Sequence, residues 1–363
     1  MPDPDKAAEL RALQKFSCPA CGAEAVWTPA KRALVCPYCG TVSPAELNVD
    51  GNLVEELDLA AALRSLPEDQ RGWAVEKKTV RCQSCQAISV FDPRRVAQNC
   101  DFCGSPALIA LEDTGAPIRP GSLLPFKIPD TQVREQIRAW YGSHFWARSD
   151  LGGRAMTDLL HGLYIPYWTF DAHVVCPWRA ESGRYYQVRG REGRMEQRVE
   201  WTPASGLVKH FFDDVLVPAS RGVHPKLLEG VAPFPTTSEL LPYDPGYVSG
   251  WVVEQYQIDL VAAAQDSRRR MEASLQQLCV QEIPGDTYRN LQIQPNYSGQ
   301  TFKHVLLPVW LLSYQYGRRT YQVAVNGFTG KITGEYPISW VKVALAILIG
   351  LIILALFAML PQH

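Results

Sequence analysis

Apolar positions change rhythm several times along the chain. Near the start they come in short runs, and "EAVWTPAKRALV" at 24–35 reads as strand, turn, strand, with Pro29 and Lys31 at the bend. From Asp130 the spacing turns helical. Val133, Ile137, Trp140 and Tyr141 share one face of "PDTQVREQIRAWYGSHF", and Asp130 or Thr131 can cap it. A second long helix is expected over Asp266–Gln281, with Met271, Leu275, Leu278 and Cys279 on one face. Between them, "LYIPYWTFDAHVVCPWRA", "GRYYQVRG", "RMEQRVEWTPASG" and "LVKHFFDDVLVPA" are short runs rich in branched and aromatic residues, which predicts a mostly antiparallel sheet. Pro166 suggests an edge or strand-start position. Further on, "HVLLPVWLLSYQYGRRTYQVAVNGFTGKITGEYP" adds strands joined by the glycine-rich turn "NGFTGK". Its "LLPVWLLSY" repeats the order of "YIPYWTFDA", as an internal duplication of a helix-plus-sheet half would.

The last change of rhythm is the largest. Residues 343–360 are eighteen consecutive apolar residues without a charge. At 1.5 Å per residue they span about 27 Å, near the roughly 30 Å hydrocarbon core of a bilayer. Trp340 and Lys342 stand at the upstream edge as interfacial anchors, and Ala346 with Gly350 can seat a neighbouring helix. The pattern therefore predicts a transmembrane helix over 340–360. By the positive-inside tendency, the preceding domains lie in the cytoplasm and Pro361, Gln362 and His363 across the membrane. The expected location is the cytoplasmic (inner) membrane, single-pass.

Ahead of the sheet, residues 1–50 are expected to hold an N-terminal helix and a first metal module, and 51–79 a helical linker with Leu57, Ala60, Ala61 and Arg64 at helical spacing. Residues 80–110 hold a second module. The Gly/Pro stretch "EDTGAPIRPGSLLP" separates it from a domain over 120–337. The expected fold class is α+β: two small four-cysteine zinc ribbons, a mixed domain with mostly antiparallel sheet and two longer helices, and one C-terminal transmembrane helix.

The metal modules rest on cysteine spacing. Eight of the 10 cysteines form four C-x-x-C pairs, Cys18/Cys21 with Cys36/Cys39 and Cys82/Cys85 with Cys100/Cys103, and 14 residues separate the inner cysteines in both copies. Two adjacent knuckles can place four thiolates around zinc in a closed tetrahedron, so two structural zinc ions are expected. Gly22, Gly40 and Gly104 follow knuckle cysteines where the chain must turn round the metal. Disulfides or a redox C-x-x-C are the competing readings. The charged start "MPDPDKAAELRALQKF" has no apolar signal-peptide core, which favours a reducing compartment and metal.

Charge narrows the function. Lys plus Arg number 36 against 37 Asp plus Glu, so no basic field draws in a polyanion. Each module has only a small cationic excess, Lys31 and Arg32 against Glu24, then Arg81, Arg94 and Arg95 against Asp92 and Asp101. The run Arg184, Arg189, Arg191, Arg194 and Arg198 is interleaved with glutamates and reads as a solvated hairpin face, with an anionic-lipid or nucleic-acid patch as the competing reading. No G-x-x-x-x-G-K-[ST] loop is present, which leaves ATP-driven helicase chemistry without a seat. For an enzyme, the candidates are Asp171 and His173, which alternate on one strand face, and His210 with Asp213 and Asp214, either of which could contribute to a second metal or acid/base site. Isolated His and Asp residues on strands are more often structural. Cys176 reads as a small buried residue.

Taken together, "CPAC...CPYCG", "CQSC...CDFCG", "LLPFKIP", "YIPYWTFDA", "LLPVWLLSY", "NGFTGKITGEYP" and the apolar tail resemble a family of bacterial membrane-anchored double zinc-ribbon proteins. Such proteins are often labelled primosomal replication-helicase-like or transcription-factor-type zinc ribbon proteins. The resemblance implies zinc at all eight knuckle cysteines and an adaptor role beside the bilayer, with a membrane-associated protein partner such as a flotillin-like assembly. The leading expectation is a non-enzymatic docking or scaffold subunit with no small-molecule substrate. The alternatives are a nucleic-acid-binding accessory in replication or transcription, and an enzyme with a site near Asp171, His173 and His210.

Overall fold

The computed structural model describes residues 18–42, 54–64, 78–91, 99–111, 117–153, 160–189, 194–316 and 319–359, and the side chains of 91 and 355–359 lie outside that description. The N-terminal helix expected within 1–17 also lies outside it, as do Arg94, Arg95, Arg191 and residues 361–363. In chain order the elements are β1 (Val26–Thr28), β2 (Ala33–Val35), β3 (Leu57–Asp58), α1 (Leu59–Arg64), β4 (Lys78–Cys82), β5 (Ile88–Phe91), β6 (Leu108–Ala110) and β7 (Ser122–Leu123). Next come α2 (Asp130–Ser143), β8 (Leu160–Arg189), β9 (Met195–Pro218), α3 (Pro225–Val231), α4 (Thr236–Glu239), β10 (Leu241–Pro242) and β11 (Val252–Glu254). The last are α5 (Leu260–Glu282), β12 (Thr287–Ile293), β13 (Asn296–Tyr316), β14 (Arg319–Asn326), β15 (Ile332–Gly334) and α6 (Trp340–Met359).

One 13-stranded mixed sheet dominates, in the order β10-β7-β13-β8-β11-β5-β4-β6, with β9 and β12 also on β8, β3 and β14 on β13, and β15 on β14. Among the described pairs, β7 with β13 and β8 with β11 run parallel and the others antiparallel. β8 is one continuous 30-residue strand and not a series of short runs. Nor is it an edge. Pro166 sits in its interior because the neighbour changes there: β11 pairs up to Tyr164 and β9 takes over at Tyr167, so the missing N–H interrupts no ladder on that side. Pro308 in β13 does the same between β7, last paired at Leu306, and β14, first paired at Val309.

Alternation along β8 and β13 builds two cores. Even positions such as Tyr164, Trp168, Phe170, Leu306, Trp310 and Leu312 face the two longer helices, which bury Val133, Ile137 and Tyr141 of α2 and Leu260, Met271, Leu275 and Cys279 of α5. Odd positions such as Leu163, Ile165, Tyr167, Val305 and Leu307 pack with Leu227, Leu228 and Val231 of α3. Each such side chain contributes roughly 1.5–3 kcal/mol by leaving water. α5 starts ahead of the expected Asp266, because Asp259 is its cap and accepts the Ala262 N–H at 2.8 Å.

The metal modules are part of this architecture. β5 of the second pairs with β11 (Val90 opposite Val253), so its strands extend the main sheet. The first forms its own two-stranded sheet of β1 and β2 but buries Trp27, whose indole N–H donates to Phe126 O at 3.1 Å while Trp251 donates to Trp27 O at 3.2 Å. The segment expected as a helical linker contributes β3, paired with β13, and the six-residue α1.

The tail requires a correction. α6 is helical, but among the described residues no helix is long and apolar enough to cross a membrane. The expected transmembrane element of the fold class, the tail anchor and the single-pass inner-membrane location lose their support. The four residues assigned to anchoring sit as follows. Trp340 is exposed, and Lys342 Nζ donates to Ala147 O at 2.7 Å and Phe145 O at 3.1 Å, pinning the helix start to the turn after α2. Ala346 is half-buried, and no atom lies within 4 Å of where a Gly350 side chain would begin.

Candidate metal centres

All four knuckles share one backbone device. The first cysteine's N–H donates to the carbonyl five residues on, and its own carbonyl accepts an N–H from four residues on: Cys18 with Ala23 and Gly22, Cys36 with Thr41 and Gly40, Cys82 with Ala87 and Gln86, Cys100 with Ser105 and Gly104. The fourth residue after each cysteine must then take positive φ. Gly22, Gly40 and Gly104 do so at 71°, 72° and 74°, and the remaining place is filled by Gln86 at 64°. The glycines pointed to three knuckles; the fourth carries its strain on a side-chain residue, held by a Gln86 Nε2 bond to Gln83 O of 2.7 Å.

The eight cysteines gather as two sets of four, Cys18, Cys21, Cys36 and Cys39, then Cys82, Cys85, Cys100 and Cys103, each with its ligand atoms close enough to hold a metal ion. In the first set Sγ–Sγ distances are 3.4 Å for Cys18–Cys39, 3.5 Å for Cys21–Cys36 and 3.6 Å for Cys21–Cys39. In the second they are 3.7 Å for Cys82–Cys103 and 3.6 Å for Cys85–Cys100. A tetrahedron with 2.3 Å metal–sulfur bonds has edges of about 3.8 Å, so both sets are near the size such an ion requires. Within each set the thiols are coupled, so one is pulled down while neighbours are pushed up, Cys21, against the Ala23 backbone bond, to about 12 by its bonds to Cys36 and Cys39 and Cys103 to about 11 chiefly by burial. The hydroxyl and N–H of Thr41 lower Cys39 to about 6, and hydrogen bonds from the Cys85 thiol and the N–H groups of Cys103 and Phe102 lower Cys100 to about 5 although burial opposes them.

Core contacts hold both sets in place. Ser249 Oγ donates to Ala25 O at 2.8 Å, and the rings of Trp27 and Tyr247 meet edge-on at 4.9 Å. At the second set Phe102 is fully buried between Cys100 and Cys103, and its carbonyl accepts from Ser313 Oγ at 2.6 Å and Gln322 Nε2 at 2.9 Å. His161 Nδ1 lies 3.2 Å from Asp101. A cleft of about 490 Å³, lined by Cys85, Cys103, His224, Arg319, Gln322 and Glu335 among others, reaches the second set.

The candidate acid/base residues do not assemble. His173 lies opposite Phe211 and His210 opposite Val174, so the two imidazoles are on opposite faces of the sheet. Asp171 is buried and joins other partners: its Oδ1 accepts the Asp214 N–H at 2.6 Å, its Oδ2 accepts from Thr301 Oγ1 at 3.0 Å and lies 3.8 Å from Lys303 Nζ. Lys303 also meets Asp214 at 2.8 Å and Glu56 at 3.0 Å. Burial raises Asp171, and the Asp214 N–H and Lys303 only partly offset it. Sequence reasoning missed Lys303 and Glu56, which are far from Asp171 along the chain and meet it only through the β13–β8 and β13–β3 pairings.

No protein-family model and no solved structure matches the chain. Over 239 residues, 66% of this chain and 70% of the other, it is 25% identical to a Bacillus subtilis (strain 168) protein named uncharacterized protein YdjG. That likeness brings no activity with it, and the two four-cysteine sets are the chemistry on which a functional reading has to stand.

Proposed function

We propose that this chain is a non-enzymatic protein-docking subunit whose two four-cysteine sets hold structural zinc. The donor chemistry supports the metal: four sulfurs at tetrahedral spacing suit zinc, and a closed sulfur shell leaves no position for a substrate or an activated water. Pairing of the second set's strands with the sheet and burial of the first set's Trp27 against the core support a structural role, since metal binding then stiffens the whole platform.

The observation that carries docking is the tip of the β8–β9 hairpin. β12 reaches only as far as Gly183, opposite Thr287, while β8 and β9 stay paired out to Arg189 and Met195. Beyond β12 the hairpin is a two-stranded ribbon, with Tyr185, Tyr186 and Met195 exposed at 48%, 45% and 61%. Aromatic residues on a projecting ribbon add little to the fold and suit a protein interface. Its described charges, Arg184, Arg189, Arg194 and Arg198 against Glu196 and Glu200, are mixed in sign and too few for salt-driven nucleic-acid binding.

The test places a photo-crosslinking amino acid at Tyr185 in cells. A discrete protein adduct, lost when Tyr186 and Met195 are both changed to Ser while zinc content and Tm stay constant, supports docking through the ribbon. Nucleic-acid adducts, or protein adducts indifferent to those changes, overturn it.

A further inference from the structure

Asp171 sits where both neighbouring strands are irregular. Toward β9 the register shifts between Phe170 and Ala172, so that Asp213 and Asp214 fall in the gap, and toward β13 it shifts between Ser298 and Thr301. Asp214 takes φ of 52°, a conformation that costs an ordinary residue about 1–2 kcal/mol. Its N–H is tied to Asp171 Oδ1 at 2.6 Å. Bulges of this kind re-aim side chains, and here they bring carboxylate oxygens of Asp171, Asp213 and Asp214 within 4.8 Å of one another.

The charges there do not balance. Asp171 and Asp214 are buried, Glu56 approaches from β3's side, and Lys303 is the ammonium that meets all three. Two buried oxygens are left over. Asp214 Oδ2 has no hydrogen-bond partner among the described residues. Neither does the Thr169 hydroxyl, fully buried, two residues before Asp171 on the same strand face and directly across from Lys303. A buried hydroxyl and a buried carboxylate oxygen are costly without a partner, and both are hard donors. Asp213 is exposed and opens the cluster to solvent.

We propose that Asp171, Asp213 and Asp214 form an oxygen-donor site for a hard divalent cation of the magnesium, manganese or calcium class, with water completing the shell on the Asp213 side. Three carboxylates suit these ions and not the zinc of the sulfur sets. Lys303 stands in for the cation while the site is empty and moves onto Glu56 when it fills. The site is independent of the docking proposal.

The experiment uses the full chain with its cysteine sets loaded with zinc, and titrates Mg²⁺, Mn²⁺ and Ca²⁺ by calorimetry and Tb³⁺ by luminescence. One ion per chain is expected to bind saturably, at least tenfold more weakly in Asp213→Asn, whose exposed side chain is not needed for folding, and in Asp214→Asn. Lys303→Met removes the competing ammonium and is expected to tighten binding about tenfold. No saturable binding by any of the four ions at millimolar concentration overturns the proposal. So does binding that is unchanged in Asp213→Asn and Lys303→Met.

Discussion

Trp168 and Trp310 are equivalent residues on two antiparallel neighbours. Trp168 donates its indole N–H to Ile258 O at 2.9 Å and Trp310 donates to Ile128 O at 3.0 Å, and each acceptor lies two residues ahead of a long helix, α5 and α2 respectively. The pairing of Pro166 with Leu306 and of Pro308 with Tyr164 places a local two-fold axis at Ile165 and Leu307. The parallel contacts obey it too, since Val252 beside Leu163 mirrors Ser122 beside Val305. The sheet core is thus two copies of one strand–helix–strand unit, each indole pinning the other copy's helix.

Equivalent roles predict matched costs. Trp168→Phe and Trp310→Phe should each lose about 1–3 kcal/mol, chiefly from the unpaired buried carbonyl, with values within about 1 kcal/mol of each other in urea unfolding. A large asymmetry would show that the two indoles do different work.

Metal removal should reach beyond the knuckles. Because Trp27 and Phe102 are core residues, stripping two ions per chain with a chelator, or substituting Cys36→Ser with Cys100→Ser, should abolish the near-UV circular dichroism of the sheet and lower Tm by at least about 10 °C. Retention of that signal would mean the ribbons unfold alone.

Gln86 offers a gain. Replacing it with glycine relieves its left-handed backbone, and the other three knuckles already carry glycine there. Set against the entropy glycine adds to the unfolded chain, Gln86→Gly should stabilise by about 0.5–1 kcal/mol in a denaturant titration with metal bound.

Acid should act through His304. Burial pushes this imidazole down to about 4, against hydrogen bonding to the Ile118 and Arg119 backbone, and its Nε2 has no partner among the described residues. The unfolded chain takes up the proton near 6.5 and the folded chain only near 4. This contribution is therefore complete above pH 6.5 and is lost as pH falls toward 4, by up to about 3 kcal/mol. His304→Gln keeps a donor for Ile118 O, and its stability curve should lack that slope.

Much of this was legible in local pattern. The doubled cysteine spacing marked both donor sets, Val133, Ile137 and Tyr141 marked the buried face of α2, and the repeated Pro-x-Trp order marked the duplication that the strand register bears out. What was not legible depends on distant partners. Nothing near Val90 announces Val253, so the second metal module read as a separate unit when its strands belong to the sheet. Pro166 read as an edge because the change of neighbour that accommodates it involves β11 and β9, far along the chain. Asp171 was singled out, but with two histidines of which one lies on the opposite face, and its actual partner Lys303 carried no local signal.

The pairing of Val90 with Val253 also sets an order in time. A ribosome adding roughly 5–20 residues per second makes the second four-cysteine set on the order of ten to thirty seconds before the strand that will flank it. During that interval a metal ion bound there would be the main force holding the knuckles closed, so in a cell short of metal the first-made strands would wait open-edged on the ribosome for partners still being synthesised.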